Sequence, residues 1–461
     1  MSRARLLWAA RAWLADGWHD GVLLHVGADG RFVSVQSGVP APPDATVLPG
    51  PALPAMVNAH SHAFQRAFAG MAERRESAQD DFWGWRDRMY AVALRLSPEA
   101  LEAVAAQLYA ELLQGGFTQV CEFHYLQHAP DGRPYGDRLA MCRALARAAR
   151  ATGIGLTLLP VLYERAGFGQ PALRDDQRRF ATTADDVLAL RDGVRALGEP
   201  RVDAGVAIHS LRAAAPASIA RLVQGLGDDP APIHVHIAEQ TGEVDDCLAA
   251  TGQRPIEWLA AHVPLDARWQ LVHATHATAA EIEAVTRAGA GVVICPSTEG
   301  NLGDGLCDLP AWLAHGAVTS IGTDSHVARA WPAELRLLEY GQRLALRQRN
   351  VAAAPQHGRP ATAHRLFDGC VSGGAAAAGF GTWGLVAGAR ADLLVLDPQA
   401  PGLLGMPATH ALDALVFATD GPVFAQVWVA GECQVSDGRH RAAPRIAEAY
   451  AATMRGLWAP A

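Results

Sequence analysis

Histidines and carboxylates recur where the apolar stretches of this 461-residue chain stop, and the first pair, His60-Ser61-His62, has the spacing of metal ligands. In an extended strand residues i and i+2 share a face, so both imidazoles can grip one cation. A His-x-His pair taken alone is more often a surface or core feature than a ligand pair. Here the setting favours a ligand pair, because it follows Met56-Val-Asn-Ala and further His and Asp residues stand at later run ends. His236 and Asp324 are the natural third and fourth members. Imidazoles with one carboxylate are the donors a catalytic zinc ion takes while keeping a position open for water. The duller reading of Asp324 is a helix N-cap ahead of Ser325.

Water on such an ion loses a proton near pH 7, at about that pKa, but a base must receive the proton. Glu239, three residues beyond His236, is the candidate base that carries it to a leaving group. A surface glutamate opening a helix is the alternative. His273 can hold the attacking water or polarise a substrate, against a satisfied core histidine, whereas His276 reads as structural.

All 39 basic residues are arginines, and the chain has no lysine. That excludes a Schiff-base lysine, a P-loop lysine and a carboxylated lysine bridging two metals. One ion per chain is the simpler expectation, with a glutamate bridge to a second ion disfavoured.

Chemistry spread over so many positions requires strands that gather it. Between residues 51 and 380, eight short apolar runs alternate with helix-length segments rich in Ala, Leu and Arg: 54–62, 117–124, 155–163, 202–209, 233–239, 269–276, 291–296 and 317–324. This alternation is the pattern of parallel strands with crossover helices. It predicts an α/β fold, a TIM-like (β/α)8 barrel with its active site at the C-terminal ends of the strands. Nearly every run ends in polar residues, among them Glu122-Phe-His124-Tyr125, His209-Ser-Leu-Arg212, His236-Ile-Ala-Glu239 and Ser297-Thr-Glu299. Residues 1–50 and 381–461 alternate in a strand-like way between Gly-rich turns, and predict one small composite β-sandwich domain from both chain ends, followed by a terminal helix.

Half of the residues are apolar and the formal charge is -8, so a large core is available and no basic footprint for nucleic acid exists. Arg11 and Asp16 interrupt the apolar N-terminus, no signal-type cleavage site follows, and no run of eighteen apolar residues appears. Seven scattered cysteines include no CxxC pair. The expectation is a cytoplasmic enzyme, a homodimer acting on a small molecule, with neither nucleic acid nor membrane as partner.

Val57-Asn-Ala-His-Ser-His62, His236-Ile-Ala-Glu239, Gly322-Thr-Asp324-Ser and Gly384-Leu-Val-Ala-Gly-Ala-Arg-Ala-Asp392 together resemble the amidohydrolase superfamily, in its mononuclear deaminase branch, over almost the whole chain. Narrower segments resemble the formimidoylglutamate deiminase family: the Trp-rich stretch from Asp81 to Tyr90, Glu122-Phe-His-Tyr-Leu-Gln-His128, and Cys295-Pro-Ser-Thr-Glu-Gly-Asn-Leu-Gly-Asp-Gly305. Gly300 departs from the alanine expected there. The resemblance implies hydrolysis of N-formimidoyl-L-glutamate to N-formyl-L-glutamate and ammonia in histidine degradation, with Glu239 relaying the proton and His273 and Asp324 orienting the water. It also implies Gln65, Tyr125, His209 and Arg212 as substrate contacts. A dicarboxylate suits bidentate arginines, which makes Arg212 and Arg86 its anchors. Each of these residues has an ordinary reading as well: Gln65 opening a helix, Tyr125 in the core, the arginines at the surface. Two other functions compete, a purine or pterin deaminase with the same metal residues and an inactive barrel serving as a binding scaffold.

Overall fold

The computed structural model describes residues 5–75 and 82–459. Asp81, which opens the Trp-rich stretch, lies outside them, as do the first four and last two residues of the two terminal segments.

Eight parallel strands form the centre: β1 Met56–Ser61, β2 Phe117–His124, β3 Gly155–Leu162, β4 Val206–Ile208, β5 Ile233–Ile237, β6 Trp269–His273, β7 Gly291–Ile294 and β8 Val318–Ile321. Each pairs with the next in sequence, and a parallel bridge between Ser61 and Asp324 joins β8 back to β1. Every residue of β2 and β3 is buried, which is why these strands read as unbroken runs rather than alternating ones. Gly322 allows the ring to close. A Cβ at that position would stand 2.6 Å from the His60 Cβ, so only glycine lets the end of β8 approach β1 this closely.

Several strands stop earlier than their apolar patterns do. Ala238, His273 and Asp324 have φ of 51°, 69° and 46°, a left-handed conformation that turns the chain out of the sheet. The polar residues after β5, β6 and β8 are therefore carried on tight turns at the barrel mouth.

The two chain ends pair into one nine-stranded mixed sheet. The seam is antiparallel, Ala52–Pro54 against Leu393–Leu396, and Arg5–Leu14 and Gly17–Val26 extend the sheet on one side while Phe424–Val429 and Glu432–Ser436 extend it on the other. The composite domain expected from both ends thus takes the form of a continuous sheet with its own apolar core, including Leu24, Phe32, Leu393 and Trp428. Because Ala52–Pro54 belongs to this sheet, the chain enters the barrel at Met56.

The terminal helix, Ala443–Leu457, packs against the barrel helix Pro98–Gln114. Its Tyr450 hydroxyl accepts a hydrogen bond from Arg66 at 3.0 Å, beside the turn that follows β1. All seven cysteines are free thiols. Among the described residues no helix is long and apolar enough to cross a membrane.

Candidate active site

At the C-terminal end of the barrel the imidazoles of His60, His62 and His236 point at one another. The Nε2 atom of His60 lies 3.2 Å from that of His62 and 3.0 Å from that of His236. Asp324 Oδ1 lies 3.5 Å from His60 Nε2 and 3.4 Å from His62 Nε2. Burial pushes His60 down to about 3 and His236 well below the usual histidine range, so both present lone pairs rather than charges. His62 donates its Nδ1–H to the Phe123 carbonyl at 2.8 Å, which leaves Nε2 as the free lone pair. Burial works against the Asp324 charge, yet the facing imidazoles outweigh it and hold the carboxyl low. Neutral nitrogens and one carboxylate converging at this spacing fit a divalent ion of the zinc type.

Asp324 does not cap a helix, since the next one begins at Trp331. Its left-handed turn instead directs the carboxylate into the His cluster. Residues held in that conformation are costly and cluster where surrounding structure enforces them.

Glu239 and His273 face this cluster from β5 and β6. Glu239 Oε1 is 3.6 Å from His273 Nε2, and His273 Nε2 is 3.8 Å from Asp324 Oδ2. Burial pushes Glu239 up to about 7. Glu239 does not sit on a surface helix, because its turn is pinned from behind: Glu243 accepts the backbone N–H of Ala238 at 3.1 Å and that of Glu239 at 3.0 Å. His273 is held from its other side by Glu299, whose Oε1 lies 3.3 Å from Nδ1 and also accepts the Cys295 N–H at 2.9 Å. Burial alone would lower His273, but the flanking carboxylates, Glu239 first, raise it well above the usual value.

Two arginines also line the cavity. Arg212, after β4, has burial working to lower its pKa, but Glu243, Tyr163, Glu239 and Tyr90 together outweigh burial and raise it, so its guanidinium stays charged. Burial and this arginine keep His209 neutral, well below its ordinary pKa. Arg86 comes from the helix Phe82–Ala93, which also turns Trp85, Met89 and Tyr90 to the cavity. Gln65, in the single-turn helix Ala63–Ala67, is buried and donates to the Tyr125 hydroxyl at 3.3 Å, while its Oε1 has no hydrogen-bond partner. That turn is fixed by Glu122, which accepts from the Ser61 hydroxyl at 2.7 Å and the Ala63 N–H at 2.6 Å.

One cavity is lined by His62, His236, Asp324, Glu239 and His273 together with Gln65, Tyr125, His209, Arg212 and Arg86. His60 is fully buried beneath it, and His276 lies outside the lining. Reading the sequence did not single out Met89 or Leu302, whose approach depends on tertiary packing, nor give roles to the supports Glu122, Glu243 and Glu299. Glu122 and Glu299 did carry a signal, since both stand in polar strand-end motifs.

Comparison with known proteins shows the family. The amidohydrolase family profile matches residues 52–433. A formimidoylglutamate deiminase of Pseudomonas aeruginosa is 45% identical over 445 residues, which cover 96% of this chain and 97% of that protein. The crystal structure of an amidohydrolase from Brucella melitensis superposes with a TM-score of 0.94 at 43% identity, covering 99% of this chain and 100% of that one. A zinc-bound adenosine deaminase from Xanthomonas campestris shares the fold, with a TM-score of 0.79 at 22% identity and 98% of each chain covered. The chain belongs to the amidohydrolase family and is a hydrolase of carbon-nitrogen bonds other than peptide bonds.

Proposed function

We propose that this chain hydrolyses N-formimidoyl-L-glutamate to N-formyl-L-glutamate and ammonia, a step of histidine degradation, with one zinc ion held by His60, His62, His236 and Asp324. The observation that carries this reading is the cavity lining, which brings two arginines together with metal-type donors and a buried carboxyl. A dicarboxylate with a hydrolysable amidine end matches both kinds of group, and the Pseudomonas relative is named for that substrate.

A zinc ion in such a site supplies a Lewis acid that lowers the pKa of water to about 7. Glu239 takes a proton from the attacking water and then one from the hydroxyl of the tetrahedral adduct, and delivers both to the terminal amidine nitrogen, which departs as ammonia. The formimidoyl carbon gains the water oxygen and becomes the formyl group. His273, fixed by Glu299, orients the water and offsets negative charge developing beside it. Arg212 and Arg86 hold the carboxylates so that the carbon lies against the His cluster rather than turning freely.

Carbon-13 NMR of the products tests the reaction. N-formyl-L-glutamate with ammonia is expected; glutamate with formamide would overturn deimination. Release of ammonia from a purine or pterin, with none from the formimidoyl substrate, would favour the ring-deaminase reading.

A further inference from the structure

Behind Arg86 lies a small polar network whose hydrogen bonds can be counted. Tyr90, Tyr163 and Gln177 are all buried, and only Tyr90 lines the cavity. The Gln177 Nε2 group donates to the Tyr163 hydroxyl at 2.9 Å and to the Tyr90 hydroxyl at 3.3 Å. The two hydroxyls are 3.2 Å apart. Gln177 Oε1 accepts the backbone N–H of Arg174 at 3.0 Å, which settles which end of the amide faces the tyrosines.

These atoms leave one proton over. Gln177 spends both amide hydrogens on the two oxygens, and the contact between the tyrosines uses one hydroxyl proton. Tyr163 has no access to the cavity, so the economical arrangement has Tyr163 donating to Tyr90 and Tyr90 aiming its proton into the pocket. A buried donor needs an acceptor. The ring of Tyr90 also supports the first anchor, with the Arg86 guanidinium carbon 5.5 Å from its centre.

We propose that the Tyr90 hydroxyl is a third donor to a substrate carboxylate beside Arg86, and that Gln177 and Tyr163 are positioning residues that hold it there. This rests on the dicarboxylate reading of the pocket. It makes Tyr90 a determinant of specificity: a neutral ligand leaves that donor unpaired, which costs affinity, while a carboxylate oxygen satisfies it.

Titration calorimetry on the zinc-loaded protein tests the assignment, with three ligands: N-formyl-L-glutamate, N-formyl-L-norvaline, which lacks the distal carboxylate, and N-formyl-4-aminobutyrate, which lacks the α-carboxylate. Tyr90→Phe keeps the ring under Arg86 and is expected to weaken N-formyl-L-glutamate roughly tenfold to a hundredfold, the loss typical of a hydrogen bond to a charged group. The analogue lacking the carboxylate that Tyr90 serves should bind wild type and variant alike. In turnover, KM rises while kcat stays close to wild type. Gln177→Glu offers two acceptor oxygens, draws the Tyr90 proton inward and should produce the same selective loss with both tyrosines intact. Unchanged binding of N-formyl-L-glutamate in either variant, or an equal loss for all three ligands, overturns the proposal. Wild type that binds N-formyl-L-glutamate but releases no ammonia from the formimidoyl substrate ends the deimination reading and leaves this one standing; wild type that binds none of the three ligands ends both.

Discussion

Asp324 meets His60 twice, once through the backbone and once through the side chain. Its N–H donates to the His60 carbonyl at 3.0 Å, and its Oδ1 lies 3.5 Å from His60 Nε2. The bond that closes the barrel and the approach that completes the donor cluster therefore belong to the same pair of residues, which links stability to the proposed metal binding.

Removing metal should lower the melting temperature. A ligand at about a hundred times its dissociation constant stabilises the folded state by about 2.7 kcal/mol, so chelation of wild type removes a contribution of that order. Asp324→Asn keeps the backbone bridge but loses the anionic donor. Calorimetry should find wild type destabilised by chelator and the variant, already metal-poor, unaffected by it. A wild-type melting temperature indifferent to chelation would contradict the proposed site.

Glu299 does not line the cavity, yet it meets the His273 ring nitrogen that faces away from the cluster. Glu299→Gln should lower kcat roughly tenfold to a hundredfold, as loss of a supporting hydrogen bond commonly does, with metal content unchanged. Parallel measurement of kcat and bound zinc checks this; loss of zinc would show that Glu299 maintains the metal cluster rather than the orientation of His273.

Arg212→Gln should raise KM for a dicarboxylate roughly tenfold to a hundredfold and alter kcat much less, because it removes binding common to ground and transition states. Steady-state kinetics on formimidoylglutamate checks it. Full activity in this variant would favour a neutral ring as substrate.

The positions of these residues were legible in the sequence to different depths. His60 and His62 followed from the two-residue period of a strand, and the polar strand ends announced themselves because a barrel carries its chemistry there. Gln65, Tyr125 and His209 came only through family resemblance, since nothing local distinguishes them from core residues. The turns at Ala238, His273 and Asp324 were hidden: left-handed φ is uncommon at non-glycine residues, and at Asp324 it is held by a backbone bond to His60 across the barrel seam. The Gln177 network was hidden as well, because Tyr90 is more than seventy positions from Tyr163 and Gln177 and joins them only when the helix Phe82–Ala93 packs on the barrel mouth. The entry to the barrel fell at Met56 rather than residue 51 because Ala52–Pro54 is drawn into the other sheet by pairing with Leu393–Leu396, a partner more than three hundred positions away.

Glu334, outside the cavity lining, gives a pH test. It is fully buried, accepts from the Ser297 N–H at 2.9 Å and hydroxyl at 2.6 Å, and burial pushes it up to about 7 from a value of 4.5. A raised pKa in the folded state favours the protonated form, so its contribution is complete below pH 4.5 and is lost as pH rises through about 7. Glu334→Gln stays neutral and should gain on wild type by up to about 3 kcal/mol across that window, on top of any constant cost of the altered hydrogen bond. Urea unfolding of both proteins on either side of the window measures the difference; a difference independent of pH would show that Glu334 is ionised throughout.

The most direct test of the central claim is the rate of ammonia release from N-formimidoyl-L-glutamate by wild type and Glu239→Gln, compared at equal bound zinc. Wild type should turn over, and the variant should be slower by roughly a hundredfold to ten-thousandfold, the range for losing a positioned proton carrier. Equal rates at equal zinc would remove Glu239 from the reaction, and no ammonia from wild type would contradict the account at its root.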